Sequence, residues 1–107
     1  MRQAVKIAAS STAVGKSRKG TIRSHRSDEM AAAVVRELLR QTEGKLDLVQ
    51  IDDVLFGCAI LESSQGLNMA RAISLQIGLP VEVPTQTVNR FCPSGLQTIA
   101  TACELLN

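Results

Sequence analysis

Trp and Tyr are absent, and two Phe are the only aromatic residues among 107. So few rings give no platform on which successive bases of a single-stranded nucleic acid could stack. No apolar run approaches the roughly 20 residues needed to span a bilayer, and the first residues lack the apolar stretch of a secretory signal. Cysteine is scarce: Cys58, Cys92 and Cys103 cannot all pair with one another, and no Cys-x-x-Cys occurs. They read as reduced thiols in a cytosol-like compartment, which points to a cytoplasmic chain. The length suits one modest domain spanning residues 1–107 and excludes two independent cores.

Acids are missing from the first 27 residues, which carry seven of the twelve Lys and Arg. Arg and Ser without acids is the composition of a mitochondrial transit peptide. However, Ala4-Val5-Lys6-Ile7-Ala8-Ala9 reads as a strand, and a cleaved presequence would discard it. Phosphate or nucleic-acid binding by the cluster from Lys16 to Arg26 is a second reading, weakened by the lack of interleaved aromatics. A solvated basic loop between first strand and first helix is the preferred one.

What is present is aliphatic and periodic, with a hydrophobic fraction of 45%. Ser27 is a candidate cap for a helix whose first turn holds Asp28 and Glu29, where acids complement the helix dipole. Met30, Ala31, Val34, Val35, Leu38 and Leu39 then form one apolar face, and Gly44 marks the end. Ile51 to Leu61 is nearly continuous in apolar residues, as in a strand covered on both faces. Glu62 to Gly66 is turn-forming. A second helix spans Asn68 to Ile77 and stops at Gly78 and Pro80. Val83 to Phe91 reads as a third strand. A last helix starts around Cys92-Pro93 and places Leu96, Ile99, Ala100, Cys103 and Leu106 on a buried stripe. The order β-α-β-α-β-α implies an α/β fold with a mostly parallel sheet.

Cys58, in the apolar strand, and Cys103, on the helix stripe, read as small packed hydrophobes. Cys92 differs, because it follows a strand and stands at the first position of a helix, with Pro93 and Gly95 suited to the turn. Free N–H groups and the dipole there favour a thiolate and offer donors to a developing oxyanion. The arrangement is like a nucleophile elbow, although a Cys at a helix start is also often only a cap. A catalytic thiol needs a base. His25 is the only His, and nothing in the sequence places it near Cys92. No metal-ligand spacing is visible.

Thr87-Val88-Asn89-Arg90-Phe91-Cys92-Pro93-Ser94-Gly95-Leu96-Gln97 resembles the active-cysteine motif of the thiolases, the acyl-CoA C-acyltransferases. Gly57-Cys58-Ala59 and Gln65-Gly66-Leu67-Asn68-Met69-Ala70-Arg71 are similar to the upstream segment of degradative 3-ketoacyl-CoA thiolases. Gly15-Lys16 matches the family's opening with less specificity. The resemblance spans the whole chain and implies the start of a thiolase-like N-terminal half with a mostly parallel mixed sheet. It implies Cys92 as nucleophile, with its backbone N–H as an oxyanion donor. It further implies acyl-CoA and CoA as partners, coenzyme A thioesters as substrates without a cofactor, and a homo-oligomer for the intact fold. In a eukaryote the location would be mitochondrial or peroxisomal. The resemblance does not identify CoA-binding residues within this chain.

Three departures qualify the likeness. Ser11-Thr12-Ala13-Val14 stands where the family has Arg-Thr-Pro. Pro93 replaces the usual small residue and removes one N–H. The family's Gly-His-Pro and Cys-x-Gly motifs, which carry its base and second acid/base Cys, do not occur. The expectation is therefore the N-terminal part of a degradative thiolase that transfers an acyl group from 3-ketoacyl-CoA to CoA, inactive alone. The alternative is a non-catalytic half-fold or a split subunit completed by another chain. The condensing enzymes are a more distant fit, because the Gln65 to Arg71 stretch suits them poorly.

Overall fold

The computed structural model describes residues 2–106. Its elements are α1 (Ser27–Gln41), β1 (Val54–Gly57), α2 (Met69–Gln76), β2 (Thr85–Val88) and α3 (Ser94–Leu105), with single 3-10 turns at Leu48–Gln50 and Ser63–Gln65. The expected α/β class is observed. β1 and β2 pair in parallel, with Val54 opposite Thr85 and Gly57 opposite Val88, and α2 supplies the crossover that a parallel pair requires.

Pleating sends consecutive side chains to opposite faces of a strand, and β1 uses this to separate two helical layers. Phe56 joins Ala32, Cys58, Met69 and Ile73 in the core built by α1 and α2. The next residue, Gly57, faces the start of α3, where an added Cβ would lie 2.6 Å from Gly95 N and from the Ser94 carbonyl carbon. Thr87 stands opposite Phe56 and is tied to α2 by hydrogen bonds. The Ala70 N–H donates to Thr87 Oγ1 (3.1 Å), which donates to Asn68 Oδ1 (2.6 Å). Asn68 caps α2 by accepting from the Arg71 N–H (3.3 Å). α2, with α1 against it, thus covers one face of the sheet and α3 the other.

Five sequence expectations need correction. Residues 4–9 form no strand, and Val5 and Ile7 are exposed. Among the described residues no ladder partner or second layer meets them, so the burial available is too small to offset about 1–2 kcal/mol of backbone ordering per residue. The run 51–61 contributes only Val54–Gly57 to the sheet, and these residues are half-buried or exposed rather than enclosed on both faces. β2 is likewise Thr85–Val88 rather than 83–91. Pro84 has no N–H to extend the ladder, and beyond Val88 the chain turns at Asn89.

The ends of α1 also differ from expectation. Ser27 is the first helical residue, and Arg26 is the N-cap without a side-chain cap bond. The Asp28 carboxylate takes the available donors, accepting from the Glu29 N–H and from the Arg26 guanidinium. The helix closes at Thr42, whose hydroxyl donates to the Leu39 carbonyl (3.0 Å), while Gly44 takes a left-handed φ of 76° in the following turn.

The fifth correction concerns α3. The stripe of Leu96, Ile99, Ala100, Cys103 and Leu106 faces outward, and Leu96 is 70% exposed. Ser94 is buried and Thr101 and Ala102 half-buried on the opposite side. Gly57 admits α3 so closely that small side chains face the sheet, and the larger apolar ones are left on the far side. The α-carbon radius of gyration is 14.4 Å, above the roughly 13 Å expected for this length, in keeping with the exposed segment 2–16.

The electrostatics of α1 give a pH prediction. Arg40 donates to both Glu37 carboxylate oxygens (2.8 and 2.7 Å) and Gln41 to one of them (3.2 Å). These bonds hold the Glu37 carboxyl at about 2, below its ordinary 4.5. A carboxylate depressed in the fold stabilises above its unfolded value and loses that contribution as pH falls through its folded value. Thermal unfolding by circular dichroism should show Glu37→Gln less stable than the parent at pH 7. The gap should be small for an exposed pair and should close between pH 4.5 and 2. Thr87→Val should be more costly, by about 1–3 kcal/mol in urea unfolding, because it strands the Ala70 N–H and removes one of the two donors to Asn68 Oδ1.

Candidate functional site

The site is the segment between β2 and α3. The Cys58 N–H donates to the Val88 carbonyl (2.9 Å) and closes the ladder. The chain then makes two interlocked turns. Asn89 Oδ1 accepts from the Phe91 N–H (2.9 Å), while Ser94 Oγ accepts from the Arg90 N–H (2.9 Å) and donates to the Phe91 carbonyl (2.6 Å). The Ser94 N–H also donates to that carbonyl (3.1 Å). Phe91 has a φ of 55°, a left-handed conformation that costs a residue bearing a Cβ about 1–2 kcal/mol.

Cys92 stands exposed at this bend. It lies before Pro93, the N-cap of α3, and not at the first helical position as the sequence suggested. The Phe91–Ser94 turn intervenes, and regular helix begins only where Ser94 has closed it. Among the described residues, the Cys92 N–H donates to no protein acceptor. It therefore has no use within the chain. Arg90 donates to Gln97 Oε1 across the first turn of α3, which braces the same bend from outside.

His25 is exposed in the turn before α1, its N–H donating to the Ile22 carbonyl (3.0 Å). Among the described residues no base is paired with Cys92. The basic segment around it consists of surface turns. Gly20 N–H donates to the Lys16 carbonyl, Arg23 to the Arg18 carbonyl, and Arg26 pairs with Asp28 at 3.0 Å. The Asp28 pair raises the Arg26 guanidinium and lowers the Asp28 carboxyl from their ordinary values.

Cys58 is packed as expected, at 8% exposure, its thiol donating to the Ile60 carbonyl (3.3 Å). Cys103 is exposed instead of packed, because it shares the outward stripe of α3. An open cleft of about 490 Å³ lies at the carboxyl end of β1, lined by Ser27, Ala31, Phe56, Cys58, Gln65 and Met69. Cys92 does not line it. Among the described residues no three His, Cys, Asp or Glu converge as metal ligands, and no helix is long and apolar enough to cross a membrane.

Sequence reasoning missed Gly57, which sets the distance of α3, and Ser94, which locks the bend. A Gly inside an apolar strand was the available signal for the first. For the second it was a Ser three residues after Phe91, within reach of a turn carbonyl.

Fold and site define a class: a layered parallel α/β unit that presents a cysteine at a strand-to-helix bend. The family model for the thiolase N-terminal domain matches residues 4–107, and the chain belongs to the thiolase family. The 3-ketoacyl-CoA thiolase of Bacillus subtilis (strain 168) is 47% identical over 104 residues, 97% of this chain and 26% of that protein. The 3-ketoacyl-CoA thiolase of Saccharophagus degradans is 43% identical over 91 residues, 85% of this chain and 23% of that protein. The structure of human mitochondrial 3-ketoacyl-CoA thiolase in complex with CoA superposes with a TM-score of 0.71 at 29% identity, over 81% of this chain and 22% of that one. The chain thus spans about a quarter of the length of these relatives, which carry the name of an acyltransferase family.

Burial sets the order of thiol chemistry. Mass-mapped alkylation of the native chain should label Cys92 well before Cys58. Equal labelling rates without denaturant would contradict the packing described.

Proposed function

We propose that this chain is the nucleophile-bearing part of a degradative 3-ketoacyl-CoA thiolase. The observation that carries the reading is the exposed Cys92 beside its own unused N–H at the β2–α3 bend, in a chain homologous to 3-ketoacyl-CoA thiolases. The Cys92 sulfur attacks the C3 keto carbon of a 3-ketoacyl-CoA. The C2–C3 bond then breaks, its electron pair goes to C2, and a proton delivered there completes acetyl-CoA. The shortened acyl group stays on sulfur as a thioester. The thiol of free CoA then attacks that carbonyl, and collapse of the tetrahedral oxyanion returns the Cys92 thiolate. Covalent capture divides one difficult cleavage into two easier steps, and the Cys92 N–H is a donor for the oxyanion. Coenzyme A thioesters are substrates here, and the reading requires no cofactor. It assigns the base and the acid that protonates C2 to residues outside these 107.

A second reading is a split subunit or interaction module completed by another chain. The outward stripe of α3, with Leu96 and Ile99 exposed, favours it.

One set of assays tests both. The purified 107-residue chain should not thiolyse a 3-ketoacyl-CoA. Joined to the remaining segment of the Bacillus subtilis relative it should, and Cys92→Ala should abolish the reaction. Activity surviving Cys92→Ala would sink the first reading. A stable monomer that gains activity only through covalent joining, and not on mixing with the separate segment, would count against the second.

A further inference from the structure

We infer that Ser94 is the positioning residue of Cys92, an assignment that rests on the thiolase reading and adds a residue to it. Ser94 is 4% exposed, and its hydroxyl both accepts and donates within the bend. It accepts from the Arg90 N–H (2.9 Å) and donates to the Phe91 carbonyl (2.6 Å). These two groups lie two residues and one residue before Cys92, so one buried oxygen fixes the backbone that leads directly into the nucleophile.

The bend needs such a fixture. Phe91 is held at a φ of 55° while the residue is 74% exposed, so packing of the ring does not hold it there. A left-handed non-Gly residue persists only where its surroundings over-determine it. Here the surroundings are the bonds from the Ser94 hydroxyl and N–H to the Phe91 carbonyl and from Phe91 N–H to Asn89. The hydroxyl also binds Arg90 and Phe91 without engaging the Cys92 N–H, so the donor beside the thiol stays available.

Gly57 supports the same geometry from the strand. A Cβ there would lie 2.6 Å from the Ser94 carbonyl carbon and 2.8 Å from its oxygen. Backbone contact on one side and two hydrogen bonds on the other leave Ser94 little freedom. Ala at this position has no oxygen to share.

Native-state amide exchange and alkylation of the 107-residue chain test the assignment. In the unmodified chain the Arg90 amide should be protected and the Cys92 amide should exchange freely. Equal exchange of the two would overturn the assignment without any variant being made. In Ser94→Ala the Arg90 amide should exchange about fivefold faster or more, the worth of one ordinary hydrogen bond. Iodoacetamide labelling of Cys92, measured against Cys103 in the same sample, should slow by a similar factor. Ser94→Thr, which keeps the oxygen, should restore both, and Cys58 should stay slow to label throughout. Faster Arg90 exchange with an unchanged Cys92 to Cys103 ratio would show Ser94 to be structural only. Neither measurement needs thiolysis, so their failure strikes Ser94 alone, whereas activity surviving Cys92→Ala strikes the thiolase reading alone.

Discussion

Everything in this molecule hangs on the parallel pairing of two four-residue strands. Val54–Gly57 against Thr85–Val88 is a short ladder, and a pair of that size is marginal in water by itself. Its stability comes from what each face can bury. On one face Phe56 meets the α1–α2 core, and Thr87 holds the start of α2 through Asn68 and the Ala70 N–H. On the other face Gly57 brings α3 in to backbone contact. The ladder therefore fixes α2 and α3 on opposite sides of the same two strands. The bend bearing Cys92 lies where the second strand leaves them.

The two family-like segments are linked through that pairing. The Gln65 to Arg71 stretch holds Asn68, and the Thr87 to Gln97 stretch holds Thr87, and these two residues hydrogen-bond at 2.6 Å. The first segment thus seats the helix that anchors the strand from which the second projects its cysteine. Gly57, just before Cys58, then sets how near the bend can lie to β1. The sequence motifs correspond to one mechanical unit.

The sequence made the class, the three helices and the parallel β-α-β order legible. Periodicity of Ala31, Val34 and Leu38, the start of a helix at Asn68 and the turn into a helix at Cys92 are local signals that the chain retains when folded. What it concealed depends on partners distant in sequence. Residues 4–9 have a strand-like pattern but no ladder to join, and the α3 stripe is helical in period but faces away from the sheet. Apolar period shows that a face wants cover and does not show what covers it. Ser94 was hidden for a different reason. Its role lies in a hydroxyl that reaches back three and four residues, and a left-handed Phe91 is not encoded by the usual Gly or Asn. Within the site, the cysteine at the bend was readable and the device holding the bend was not.

The proposed role of Cys92 is to carry the acyl group between the two half-reactions. The most direct test is acid quenching during turnover of the chain joined to the remaining segment of its Bacillus subtilis relative, followed by peptide mapping. The peptide bearing Cys92 should carry the mass of the shortened acyl chain, lost on hydroxylamine treatment as a thioester should be. Turnover with the acyl mass on another residue, or with Cys92 unmodified throughout, would contradict it.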